Sequence, residues 1–341
     1  MAKTKVISVA NQKGGVGKST SVYCISAGLA LDGKKVLLID VDPQGDLTKM
    51  LGLRKPHDLP RALGDVMSDV VSGKEIAEHT EIMHHHEGFD FVPGNRALSA
   101  VETGLVNVMS RETVLRQYVD SVKSDYDYVL LDCRPSLGML VINALAASDY
   151  VLIPVQADYL AAEDMTELVG TVQQIKRQIN PKLKIGGVFL TMANETNFRR
   201  DTVRAVKENF GKHLPVLQTV IPATVRLAEV STADKSIFKH EPKGHLLRLG
   251  FSEWLLRSPG RTIRPCGYRG EMRKRHCLYR GGQFRRQLPA KTVFCGLLRN
   301  PWLWYSCLLN KMPSFRAASH YIRISFVFDP FSFANIHINS I

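Results

Sequence analysis

The run Asn11-Gln12-Lys13-Gly14-Gly15-Val16-Gly17-Lys18-Ser19-Thr20 constrains this chain more than any other stretch. It follows the apolar segment Val6-Ile7-Ser8-Val9-Ala10, which reads as a buried strand. It precedes Tyr23 to Leu31, which reads as a helix. A glycine-rich turn between a strand and a helix is a phosphate cradle. With no Cβ in the way, backbone N–H groups approach phosphate oxygens, and the helix N-terminus adds partial positive charge. In that frame Lys18 reaches the β- and γ-phosphates and the Ser19 hydroxyl ligates Mg²⁺.

The general pattern G-x-x-x-x-G-K-[ST] would put its first glycine at position 12, where Gln12 stands. What is present, Lys13-Gly14-Gly15-Val16-Gly17-Lys18-Ser19, resembles the deviant P-loop of the ParA/MinD family of ATPases. That family is marked by an additional signature lysine, here Lys13. The resemblance implies that Lys13, Gly14, Gly15, Val16, Gly17, Lys18, Ser19 and Thr20 bind the nucleotide. It also implies that Lys13 reaches the phosphates of the opposite subunit in a homodimer closed by ATP.

Two further strands end in acids. Val36 to Ile39 is continuously apolar, as in a strand buried on both faces of a parallel sheet. It runs into Asp40-Val41-Asp42-Pro43-Gln44-Gly45. The i, i+2 spacing puts both carboxylates on one side of a strand. At the C-terminal edge of a parallel sheet, both can face the phosphate site. This segment resembles the family's switch I, which implies that Asp40 helps hold the Mg²⁺ shell and that Asp42 orients or activates the attacking water. Tyr126 to Asp132 is the next such strand and has the Walker B form, with Asp132 acting on Mg²⁺ from the strand tip. Cys133-Arg134-Pro135-Ser136-Leu137-Gly138 resembles switch II, usually D-x-P-P-S-L-G, with Arg134 in place of the first proline. Arg134 brings a charge close to the nucleotide and loosens the backbone.

The remaining pattern alternates. Phe89 to Gly94, Tyr150 to Val155, Lys184 to Met192 and Val216 to Ile221 read as strands. Leu63 to Glu78, Leu98 to Val108, Glu112 to Lys123, Ala162 to Ile179 and Asn197 to Phe210 read as helical. This βαβα order predicts an α/β fold with a doubly wound, mostly parallel sheet. Thr191-Met192 and Ile221-Pro222-Ala223 end late strands on the ligand edge, and the resemblance implies that Met192 and Pro222 frame the adenine. No Asn-Lys-x-Asp guanine reader is present, which favours ATP over GTP. His84-His85-His86 reads as a solvated loop, because three adjacent side chains rarely converge on one ion. Arg199, Arg200, Arg204 and Arg226 form either a solvated face or a basic patch. The resemblance supplies the second reading, in which Arg199, Arg200 and Arg226 hold DNA phosphates without reading sequence.

The net charge of +13 is unevenly placed. Residues 1–244 carry 29 Lys+Arg against 29 Asp+Glu, and residues 245–341 carry 16 against 3. All three Trp and four of the six Cys also lie after residue 244. The family resemblance covers about residues 3–244 and stops at His245, where family members finish with a short alanine- and glutamate-rich helix. The expected division is therefore a ParA-type P-loop ATPase domain, 1–244, and a basic tail, 245–341, with no sustained helical or strand period. The tail's composition is that of an out-of-frame or read-through product. A basic nucleic-acid arm with interleaved aromatics and a membrane-surface segment are the alternatives. Its cysteines show no C-x-x-C spacing, against a zinc site there.

Together these readings predict an Mg²⁺-dependent ATPase that partitions DNA. It dimerises on ATP, binds DNA non-specifically and answers to a ParB-like centromere-binding partner. The N-terminus enters a strand at once and lacks an apolar signal region, and no run of 18 apolar residues exists. The expectation is a cytoplasmic, nucleoid-associated protein with no membrane partner. Three rival readings stand beside this one. A MinD-like membrane ATPase needs a clean amphipathic C-terminal helix, for which His245 to Arg257 is a partial candidate. A nitrogenase-type iron protein needs two cluster cysteines per subunit; the body offers only Cys24, inside the P-loop helix, and Cys133, which rejects this reading. A DNA binder working through its tail would leave the P-loop vestigial, against the intact Lys18, Ser19, Asp42 and Asp132.

Overall fold

The computed structural model describes residues 3–74, 79–156, 161–193, 204, 206, 208, 210, 211, 214–241, 322–327 and 335–340. The chain divides into two compact units, residues 1–267 and 268–341. The expected boundary at Gly244 and His245 lies outside the described residues, as does His245 to Arg257.

The first unit opens with β1 (Lys5–Val9), α1 (Lys18–Leu31), β2 (Val36–Asp40), α2 (Asp46–Met50), α3 (Leu63–Val71), β3 (Met83–His85) and β4 (Phe89–Val92). It continues with α4 (Ala97–Gly104), α5 (Val114–Val122), β5 (Tyr128–Asp132), α6 (Met139–Ala147) and β6 (Tyr150–Gln156). It closes with α7 (Ala161–Gln178), β7 (Lys184–Ala193), β8 (Val216–Pro222), α8 (Val225–Ala233) and α9 (Ile237–His240). The strands form one sheet in the order β3-β4-β2-β5-β1-β6-β7-β8. Every pairing is parallel except the edge hairpin β3–β4. β1 is central, with β2 and β4 built out on one side and β6 to β8 on the other. The strand order therefore reverses beside the end of β1, where open α/β sheets leave a crevice.

The strands alternate between two apolar cores. Leu37, Ile39, Val129 and Leu131 join one, with α3 to α7; Val36, Leu38, Tyr128 and Leu130 join the other, with α1 and α2. Full burial of each such side chain contributes about 1.5–3 kcal/mol. Both faces of β2 and β5 are covered, so these strands are unbroken apolar runs in the sequence. Helix α1 is buried from Ser21 to Leu29 because the sheet lies on one side and α8 and α9 pack on another.

Several expectations are corrected. α1 begins at Lys18, not Tyr23, because the helix opens directly at Gly17. The helix expected to reach Val108 ends at Gly104 and tightens into a 3₁₀ turn over Leu105–Asn107. Leu63 to Glu78, expected to hold a short helix or two, holds α3 over Leu63–Val71, with residues 75–78 outside the described ones. Most of Asn197 to Phe210 also lies outside them, although residues 204, 206, 208 and 210 are helical. The three histidines are not a solvated loop. His84 and His85 close β3, and His85 is buried, stacked on Phe89 with ring centroids 4.6 Å apart. In the second unit β9 (Ile322–Val327) pairs antiparallel with β10 (Asn335–Ser340), a local pair in a tail expected to hold no sustained helical or strand period. The alternation Ile322-Arg323-Ile324-Ser325-Phe326 carries that signal.

Candidate active site

The loop between β1 and α1 is anchored from both ends. Asn11 is buried; its Nδ2 donates to the Pro154 carbonyl at 2.6 Å, and its Oδ1 accepts from the Lys13 N–H at 3.0 Å. Val16 is fully buried, and its carbonyl accepts from Thr191 Oγ1 at 2.9 Å. The ends of β6 and β7 thus hold the loop. Gly15 and Gly17 have φ of 73° and 82°, which strains any residue with a Cβ. A Cβ at Gly14, Gly15 or Gly17 would meet nothing within 4 Å. Conformation, not crowding, therefore selects glycine at 15 and 17, and the hollow is open. α1 starts at the next residue with no side-chain cap. Its first N–H groups face this hollow without a capping acceptor, which suits an anion.

Sheet register brings the acids together. Asp40 and Asp132 are direct partners across β2 and β5, and each is 1% exposed. The Ser19 hydroxyl favours the charged form of Asp132, whose Oδ1 is buried with no partner. Burial, then the Asp40 charge, pushes its carboxyl well above the usual range, against the pull of Ser19 and Lys18. Asp40 is more fully bonded. Its Oδ1 accepts from the Asp42 N–H at 3.1 Å, and its Oδ2 accepts from the N–H and Oγ1 of Thr48 at 2.9 and 2.7 Å. Burial nevertheless raises Asp40 to about 6, opposed by the Thr48 bonds. Thr48 Oγ1 also accepts from the Gly94 N–H at 2.9 Å. Asp42 is half-buried, and its Oδ1 accepts from the Gln44 N–H at 3.0 Å.

Lys18 is 7% exposed, and its Nζ donates to the Lys13 carbonyl at 2.8 Å. Burial lowers its pKa, with Asp132 the largest influence holding it up. The cluster therefore joins one buried ammonium, a hydroxyl and three carboxylates at one sheet edge. The oxygen donors of Ser19 and Asp132, one of them orphaned, suit a hard divalent cation. Asp40 has less to offer an ion, since both its oxygens are already engaged.

Met192 and Pro222 sit on neighbouring strands at the same C-terminal edge, where Ala193 and Pro222 are in register. Met192 adopts φ 53°, in the left-handed region. Arg226 lies in the first turn of α8, 60% exposed, and its guanidinium meets Glu229 at 3.1 Å and Glu241 at 3.7 Å. Arg199 and Arg200 lie outside the described residues. Arg134 pairs with Glu102 of α4 at 2.5 Å, and Glu102 Oε1 also accepts from the Leu140 N–H at 3.4 Å. The charge replacing the family's proline is thus neutralised from α4. The roles of Asn11, Thr48 and Glu102 were not read from the sequence. Asn11 opens the loop motif and Thr48 follows Asp40 by eight residues, so both could have been suspected. Glu102 has no local signal, because its partner is 32 residues away.

An AAA domain family model matches residues 4–185. The sporulation initiation inhibitor protein Soj of Bacillus subtilis is 41% identical over 240 residues, covering 70% of this chain and 92% of that protein. The chromosome-partitioning ATPase Soj of Treponema pallidum is 41% identical over 231 residues, covering 67% of this chain and 86% of that one. Among solved structures, cobyrinic acid a,c-diamide synthase from Mycobacterium smegmatis with bound ADP and magnesium superposes with a TM-score of 0.60 at 34% identity. That match covers 71% of this chain and 96% of the other.

Proposed function

We propose, from the premise that this chain belongs to the ParA/Soj family of deviant P-loop ATPases, that it hydrolyses ATP to drive DNA partitioning. The observation carrying this reading is the meeting of Lys18, Ser19, Asp42 and Asp132 at an uncapped helix N-terminus, with Asp132 Oδ1 buried and unpartnered.

Each residue has a part. The first N–H groups of α1 and the loop backbone hold phosphate oxygens over the hollow at Gly14 to Gly17. Lys18 leaves the Lys13 carbonyl and neutralises the β- and γ-phosphates. Ser19 and Asp132 would hold Mg²⁺, which when bound would offset charge on the transferring phosphoryl group. Asp42 takes a hydrogen bond from the attacking water and orients it. Asp40, pinned by Thr48, fixes the backbone N–H of Asp42 and so its direction. Met192 and Pro222 border the adenine. Lys13 acts on the phosphates of a second copy, so ATP closes a homodimer, and catalysis is positioning with charge neutralisation. The closed dimer holds DNA through Arg199, Arg200 and Arg226, and a ParB-like partner stimulates turnover.

Titration calorimetry with Mg·ATP on wild type and Lys18→Ala tests the core of this reading. Binding is expected only in wild type, and equal affinity would sink it. One observation favours a second source of DNA binding: the net charge of +13 lies wholly after residue 244. Tail-driven binding is independent of ATP and falls steeply with salt. Family-type binding appears only with ATP, because two weak patches must align in one dimer.

A further inference from the structure

The turn after β3 and the turn between α8 and α9 bring His85, His86 and Asp234 together, apart from the P-loop cluster. Each offers one ligating atom, and the three atoms lie within 4.8 Å of one another. The His85 side chain is 2% exposed, and its Nε2 is buried with no hydrogen-bond partner. It lies 3.6 Å from Asp234 Oδ1, also buried and unpartnered. That separation is too long for a hydrogen bond. It is the separation two ligands keep around one ion, since bonds of about 2.0–2.2 Å at tetrahedral angles place donors roughly 3.3–3.6 Å apart. His86 completes the group, its ring centroid 4.2 Å from that of His85. Adjacent residues converge here because the chain leaves the strand after His85 and turns.

We propose that His85, His86 and Asp234 form a binding site for one divalent transition-metal ion of the zinc type, clamping the β3–β4 turn to the turn that precedes α9. Two imidazoles and one carboxylate are a borderline donor set, matched to Zn²⁺ and Co²⁺ rather than Mg²⁺ or Ca²⁺. Three protein ligands leave a fourth position for water. Ligation through Nε2 requires the His85 ring proton on Nδ1. That displaces the Glu87 N–H, which reaches Nδ1 at the long distance of 3.3 Å. The clamp reinforces an existing joint, in which buried Glu87 accepts from Ser236 N at 2.7 Å, from Ser236 Oγ and from Tyr23 OH at 3.2 Å.

The test is Zn²⁺ titration calorimetry on the full chain, stripped of metal and held in excess Mg²⁺. It compares wild type with His86→Ala and Asp234→Asn. His86 is exposed, and Asn tolerates the left-handed backbone of Asp234, φ 50°, so both variants should fold. Cys266, Cys277, Cys295 and Cys307 are changed to Ser throughout, which removes thiol ligands of the tail. The expected result is one equivalent bound by the parent and at least tenfold weaker binding in each variant. Zn²⁺ should also raise the melting temperature of the parent alone. Equal stoichiometry and affinity in parent and variants, or no binding by the parent, would overturn the proposal and leave His85 and Asp234 as a stretched pair.

Discussion

Asp132 stands in direct register with Asp40 across β2 and β5, and its Oδ1 stays buried and unpartnered. A buried carboxylate with a bare oxygen costs the fold stability, and in the proposed function that oxygen faces Mg²⁺.

Asp132→Asn should therefore stabilise the nucleotide-free protein while abolishing ATP turnover. Removing the buried charge should gain ~1–2 kcal/mol, at roughly 2–4 °C per kcal/mol for a domain of this size. The sign of the pH dependence follows from the raised pKa values of Asp132 and Asp40. A raised carboxyl favours the protonated fold, so its stabilisation is complete below the unfolded value. It is lost as pH rises through the folded value, about 6 for Asp40. The advantage of the Asn variant should thus be larger at pH 7.5 than at pH 5.5. Thermal melts at both values check this, and an Asn variant that melts lower at pH 7.5 refutes it.

Thr48→Val removes the hydroxyl that joins Asp40 Oδ2 to the Gly94 N–H. Leaving those buried groups under-bonded should cost ~1–3 kcal/mol. Because Thr48 acts through Asp40 on the direction of Asp42, kcat should fall with little change in ATP affinity. Steady-state kinetics beside calorimetry separates the two, and Thr48→Ser should restore turnover. An unchanged kcat in the Val variant would leave Thr48 a packing residue.

Lys13→Ala should still bind ATP, since the Lys13 contact to Lys18 is made by its carbonyl, which alanine keeps. It should fail to form the ATP-dependent dimer. Light scattering with a non-hydrolysable analogue reads this directly, and normal dimerisation would remove Lys13 from its role across the interface.

Asp42→Ala should keep ATP and the dimer and lose turnover, because the orienting carboxylate is gone and the P-loop is untouched. Phosphate release at saturating ATP measures it. Turnover near wild type would make Asp42 a bystander.

Arg134→Ala tests the substitution particular to this switch. The pair with Glu102 is partly exposed, so its loss should cost less than ~1 kcal/mol. Mg·ATP affinity should hold within about threefold, or ~0.6 kcal/mol. Glu102 still accepts from Leu140, so α6 keeps its start. A fall in melting temperature beyond about 4 °C would show a larger structural role.

Much of the site was legible because its signals are local. Glycines at 15 and 17, the lysine and hydroxyl that follow, and acids at the ends of apolar runs report backbone conformation and strand tips directly. The buried strands were legible for the same reason, since a doubly covered strand must be apolar throughout. The apolar pattern puts the start of α1 late because Lys18, Ser19 and Thr20, which open the helix, are polar. The burial of His85 is not legible locally because part of its cover is Tyr23 of α1, which packs on it from a separate element.

The sequence by itself determined the phosphate loop, the strand-tip acids and the βαβ order, because each depends on neighbours within a few residues. Only the tertiary structure decided which carboxylate is free. Register across β2 and β5 sets Asp40 against Asp132, and Thr48 and the Asp42 N–H then consume the oxygens of one and leave an oxygen of the other bare. The physical reason is that hydrogen-bond partners of a buried group are drawn from whatever the fold packs beside it. Those neighbours come from separate elements whose closeness no local pattern encodes.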